Sequence, residues 1–177
     1  MPRPLAIVVA LSLLAAPVAA GAQPGPAAPL RAPSAAECQA LQRAVQPALP
    51  RPLTRASGRV EWFSGDFRAE GAGCTLAARG TGVQFDRAGE WWNRLQARLR
   101  AAGWRQDEGM VADGAGSSVI GFRKGADLYL YVGTEDDDGG HCDEADRTQR
   151  PGVDCERTRA RSVVTVNLGL ARGPARR

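Results

Sequence analysis

The chain has one histidine and four cysteines in 177 residues, and aromatics make up only 6% of it. A single imidazole excludes every mechanism or metal site that needs two. Four cysteines are too few for a disulfide-dense knot and suit two bridges. Few aromatics beside 21 glycines and 12 prolines point to a small core with many turns, not to a helical bundle. Lysine is almost missing as well: Lys124 is the only one, and every other basic residue is arginine. Arginine, alanine and glycine rising together reflect GC-rich coding. The excess of 23 basic over 19 acidic residues is therefore a poor sign of nucleic-acid binding. The basic residues form no stripe beside aromatics, so no nucleic-acid partner is expected.

What is present fits one domain with tails. Hydrophobic residues at 44% and charged residues at 24% are globular proportions. The opening MPRPLAIVVALSLLAAPVAAGAQ has the build of a secretory signal peptide. Arg3 is its positive end, and Leu5 to Ala16 is an apolar run broken only by Ser12. Ala20-Gly21-Ala22 before Gln23 is an A-x-A cleavage site, with Val18-Ala19-Ala20 a second candidate. The run is too short to cross about 30 Å of hydrocarbon as a helix, so no membrane span is expected in the mature chain. No cysteine follows it, so the common lipid attachment box is missing. Residues 1–22 are thus read as a signal peptide and the product as periplasmic or secreted. Residues 23–33 (QPGPAAPLRAP) read as a flexible lead-in and 171–177 as a basic tail. One α+β domain spans 34–170, with a long loop at 134–160.

Outside the reducing cytosol, Cys38, Cys74, Cys142 and Cys155 favour bridges over thiols. Of the three pairings that four cysteines allow, Cys38–Cys74 would tie a first helix to an early strand. Cys142–Cys155 would close one loop, stabilising by about 3 kcal/mol on the chain-entropy model. A zinc site fails on spacing, since there is no C-x-x-C.

Ser34-Ala35-Ala36-Glu37 is a capping box, and Cys38, Leu41 and Val45 follow at helical spacing until Pro47. Residues 47–57 read as a loop, Arg59–Phe67 as a strand and Cys74–Arg79 as a second, short one. A helix from about Arg87 to Ala102 is expected, capped by Asp86 and ended by Gly103. Its face is Trp92, Leu95, Leu99 and Ala102. Trp91 and Trp104 are expected at the core edge beside Trp92. Strands over Trp104–Val111, Ser117–Lys124, Leu128–Gly133 and Arg161–Leu170 alternate with glycine turns, which argues for antiparallel hairpins. The reading is a two-layer α+β fold. An antiparallel sheet of about four to six strands packs on one main helix, with a second short helix at the N-terminus. Glu70-Gly71-Ala72-Gly73-Cys74 and Asp113-Gly114-Ala115-Gly116-Ser117 echo each other, each ahead of a strand.

Two features could carry function. In the last strands Tyr129, Tyr131, Thr165 and Asn167 lie opposite the aliphatic face. They make a binding surface if that face is open, with Arg123 or Lys124 adding a cation; otherwise the first helix covers it. The second is acidic: residues 134–161 hold nine acids against five bases. Calcium takes six to eight oxygens, and carboxylates at alternate positions of a loop supply them. Residues 134–143 resemble the calcium loop of excalibur domains, D-x-D-x-D-G-x-x-C-E. Asp136, Asp138, Gly139 and Cys142 match, Thr134 replaces the first Asp and Asp143 the closing Glu. The resemblance implies a calcium set of Asp136, Asp138 and Asp143. Without it the loop is a solvated one paired with Arg147, Arg150 and Arg157. Any Ser-His-Asp site would need His141, and Ser117 and Ser118 stand in no nucleophile elbow.

The segment around Trp104, Asp113-Gly114 and Gly121-Phe122 resembles small secreted bacterial proteins, which implies export and fold but no catalytic residues. The expected function is a non-catalytic binding or accessory domain with an envelope protein or small molecule as partner. A calcium-stabilised module and an envelope enzyme centred on His141 are the alternatives. No cofactor is expected apart from the calcium of that second reading. The protein isolated from its native host should begin at Gln23; an intact mass that includes Met1 would contradict the export reading.

Overall fold

The computed structural model describes residues 29–64, 67–87, 90–114, 116–137 and 154–173. The signal segment 1–22, Asp138, His141, Cys142, Asp143, Arg147, Arg150 and the tail beyond Gly173 lie outside them.

Helix α1, Ala35–Val45, starts as its capping box dictates. Ser34 Oγ accepts from the Glu37 amide at 3.2 Å, and Glu37 Oε2 accepts from the Ser34 amide at 2.8 Å. It buries Cys38, Leu41 and Val45, then tightens into a 3-10 turn, Gln46–Ala48, that contains Pro47.

Strands β1, Thr54–Ser64, and β2, Phe67–Thr81, form a hairpin from Thr54↔Ala77 to Ser64↔Phe67. Both are longer than the sequence suggests, where 54–57 reads as loop and the second strand as Cys74–Arg79 only; the first strand, expected to run on to Phe67, ends at Ser64, and Phe67 opens β2. The cause is the run Ala69 to Gly73, which reads as a turn by composition. In the fold these small residues admit a neighbour: a side chain at Gly71 would overlap the Leu30 backbone. The two echoing segments are therefore unlike, since Glu70 to Cys74 lies inside β2 while Asp113-Gly114 and Ser117 belong to two different strands.

A short helix not expected from sequence, α2 (Gly82–Arg87), comes first, and the helix expected over Arg87–Ala102 is shorter: α3 spans Trp91–Ala101, with Glu90 ahead of it in left-handed backbone at φ 34°. The break between α2 and α3 lets buried Phe85 meet Trp91 edge to face at 5.1 Å. Asp86 is not a cap; it takes two hydrogen bonds from Arg159 at 2.8 and 3.0 Å. Leu95 and Leu99 are buried, with Trp91, Trp92 and Ala102 half-buried against the same core. Gly103 follows at φ 84°, where left-handed backbone suits a glycine.

Strands β3 (Arg105–Gly114), β4 (Ser117–Lys124) and β5 (Leu128–Asp136) form the expected meander. Helix α4, Cys155–Arg161, capped by Asp154, takes the end of what read as the 134–160 loop. Strand β6, Val163–Arg172, then enters the middle of the sheet. The order is β1-β2-β6-β5-β4-β3, with every neighbour antiparallel. The fold is mixed α+β with strands dominant. No single helix leads, since α1 and α3 have eleven residues each.

Each sheet face has its own core. On one, Val164, Val166, Leu168, Leu170, Leu130 and Phe122 meet Leu41 and Val45 of α1 and Leu95 and Leu99 of α3. Cys38 and Cys74 close a disulfide there, with Cα atoms 6.1 Å apart. A bridge spanning 36 residues is worth about 4 kcal/mol on the chain-entropy model. The exposed ion pair Arg59–Glu70 is minor beside this staple, because solvent screens it. On the other face Leu30, Val60, Trp62, Ala69, Met110, Tyr129 and Ala171 are buried together.

The ordered chain is longer at both ends than the sequence reading. Leu30 and Arg31, read as lead-in, bridge to Gly71 and Arg172. Arg172, read as tail, pairs with Glu37 and Asp127. Glu37 thus joins the α1 cap to the end of β6. The Ser34 amide, with the Ser34 hydroxyl and Arg172, holds its carboxyl below the ordinary value, against the opposing effect of burial. A depressed folded value means that the stabilisation is present above the ordinary range and is lost as pH falls through the folded value. Melting temperature should therefore drop as pH goes below 4.5, and Glu37→Gln should flatten part of that drop. Parallel pH profiles for the two proteins would contradict it.

Candidate binding site

The expected tyrosine face is neither open nor roofed by the first helix, because α1 packs on the opposite side. The sheet covers part of this face itself. Strands β1 and β3 are the two outer strands in the order, yet Ser64 Oγ of β1 donates to Asp107 Oδ1 of β3 at 3.1 Å. The sheet therefore coils until its edges meet.

A bulge makes the meeting possible. Asp107 faces Gly121 and Val111 faces Ile120, so Glu108, Gly109 and Met110 have no partner in β4. The Gly109 amide donates to Asp107 Oδ1 at 3.0 Å and shapes the bulge. Met110 drops inward and is 1% exposed. It lies against Gly121, where a Cβ would come within 2.6 Å of Met110 Cβ and 2.7 Å of Trp62 Cη2.

Alternation along β4 sends Phe122 to the helical core and Arg123 to this face. Tyr129 sits opposite Arg123 across the ladder and packs edge to face on Trp62 at 5.0 Å. The Arg123 guanidinium carbon lies 5.7 Å from the Trp62 ring centre and 5.4 Å from that of Tyr129. Each such contact is worth roughly 0.5–2 kcal/mol. Arg123 Nε faces Asp107 Oδ2 as an ion pair; both atoms are buried, and the pair lacks the alignment of a hydrogen bond. The Trp62 indole N–H is buried without a hydrogen-bond partner among the described residues. Beside this cluster opens a cleft of about 550 Å³, floored by Asp107 and Arg123 and flanked by Arg105, Gln106 and Glu108.

No family model matches the chain, and no curated protein or solved structure matches it.

Of the four residues expected on the binding face, Tyr129 is buried in the aromatic cluster at 8% exposure. Tyr131, Thr165 and Asn167 share its face and stay half-buried, Tyr131 laying its ring across Gly169. Burial, and then Glu61 and Glu135, push the Tyr131 hydroxyl above its ordinary pKa. The cation at this face is Arg123; Lys124 points to the other layer, over Trp104.

Asp136, expected in a calcium set or paired with Arg157, pairs with Arg159 of α4, which also holds Asp86. Asp138, Asp143 and His141 lie outside the described residues, as does Cys142, the expected partner of Cys155. Among the described residues no group of three or more His, Cys, Asp or Glu is placed to hold a metal. The same residues contain no helix long and apolar enough to cross a membrane.

The sequence reading missed Asp107, Ser64 and Met110, and took Trp62 only as a strand residue. One signal was available: Glu108-Gly109 inside an expected strand is the composition of a bulge. Gly121→Ala should overpack Met110 and Trp62 and cost about 1–3 kcal/mol in urea unfolding. A wild-type midpoint would show that the contact can relax.

Proposed function

We propose that the chain is a non-catalytic binding module, exported and disulfide-stapled, that holds a small polar molecule through an anionic group in the cleft beside Arg123. The observation that carries this reading is the way Arg123 is held. Its flank rests on two aromatic rings and its Nε on Asp107, while the side chain stays 39% exposed. Its terminal nitrogens have no hydrogen bond among the described residues. A guanidinium already fixed in place loses little freedom when a carboxylate or phosphate docks on its outer edge.

Arg105 supports the same reading. It stands directly across from Arg123 in the β3–β4 ladder and is exposed. Like charges in opposite register repel, and an anion set between them would relieve what Asp107 leaves uncompensated. Export is supported by the build of residues 1–22 and fits the Cys38–Cys74 bridge.

The test is a titration with inorganic phosphate and with citrate, following the Trp62 indole resonance by NMR. Saturable shifts are expected. Arg123→Lys should weaken binding by roughly 10-fold or more, the worth of a charge-assisted hydrogen bond. Shifts that never saturate, or an Arg123→Lys protein that binds like wild type, would refute the site.

A further inference from the structure

We infer that the chain carries a second binding site, on the helical side of the sheet, for a small apolar molecule bearing a carboxylate. The site is a pocket of about 160 Å³ between α1 and the ends of β4 to β6. Leu41, Trp104 and Leu170 are buried walls, at 4%, 6% and 1% exposure. Ala40 and Ala44 of α1 line it with nothing larger than a methyl group. A cavity of about 150 Å³ lined by apolar side chains accommodates a benzene ring, so this one suits a phenyl or short alkyl group.

The charges at its mouth select the rest of the ligand. Glu37 and Lys124 both line the pocket. Glu37 is already taken by the Ser34 amide and hydroxyl and by Arg172. Lys124 has no carboxylate partner among the described residues; its Nζ lies 6.0 Å from the Trp104 ring centre. One uncompensated cation therefore stands over an apolar pocket, which complements an apolar tail ending in a carboxylate. Adjacent residues of a strand point to opposite faces, so Lys124 and Arg123 serve separate sites.

Phenylacetate is the probe and phenylacetamide its uncharged counterpart, with the Trp104 indole resonance as readout on the full mature chain. Phenylacetate should give a saturable shift, and phenylacetamide should bind about tenfold more weakly. Lys124→Gln should bring phenylacetate down to the amide's affinity. Ala44→Leu, checked as folded by circular dichroism, should abolish both by filling the pocket. Arg123→Lys should change nothing here, which separates this site from the cleft. The inference is overturned if the acid and the amide bind alike, if Ala44→Leu still binds, if Arg123→Lys removes the phenylacetate shift, or if no saturable shift occurs.

Discussion

The contact between β1 and β3 is the constraint on which this architecture turns. In a flat sheet the first and last strands of the order would lie about five strand spacings apart, roughly 24 Å. Here Ser64 and Asp107 share a hydrogen bond, so strand twist has accumulated into a coil. The coil encloses Trp62, Met110 and Tyr129 and turns part of the solvent face of the sheet into a second core. The coil thereby buries Trp62 and Tyr129 on the side away from the helices.

Small residues permit the curvature. Gly71 lets the Leu30 backbone lie against β2, and Gly121 lets Met110 and Trp62 occupy the concave side. The three-residue bulge of β3 supplies extra chain on the edge strand and aims Asp107 at Arg123. The packing that closes the sheet is thus the packing that orients the proposed recognition arginine. Trp62 and Tyr129 serve both as core and as the surface on which that guanidinium rests.

The sites on the two faces differ in kind because neighbouring residues of β4 are sorted by the pleat. Arg123 falls among aromatic rings and an acid, beside a polar cleft. Lys124 falls over Trp104 at the rim of an apolar pocket. Arginine, with its planar fork, suits a bidentate anion; lysine acts as a point charge on a flexible stem. A substitution exchanging the two would satisfy neither surroundings.

Local chemistry was legible in the sequence where it was self-contained. The Ser34/Glu37 box, the alternation of β5 and β6, the Leu95/Leu99 stripe and the Cys38–Cys74 pairing each depend on residues whose periodicity or capping chemistry is local, or on the redox state of the compartment. A period of two places the two tyrosines, Thr165 and Asn167 on one face, and the register of β5 and β6 has the same sidedness. Helix α2 and the later start of α3 were not legible, since they depend on Phe85 meeting Trp91 in space. The extended β2 was not legible either, because its glycines are explained by what packs against them. Sequence alone determined which way the side chains of β5 and β6 point. Tertiary structure alone decided what they meet, because the coil of the sheet sums small twists over six strands and brings together residues that no local pattern relates.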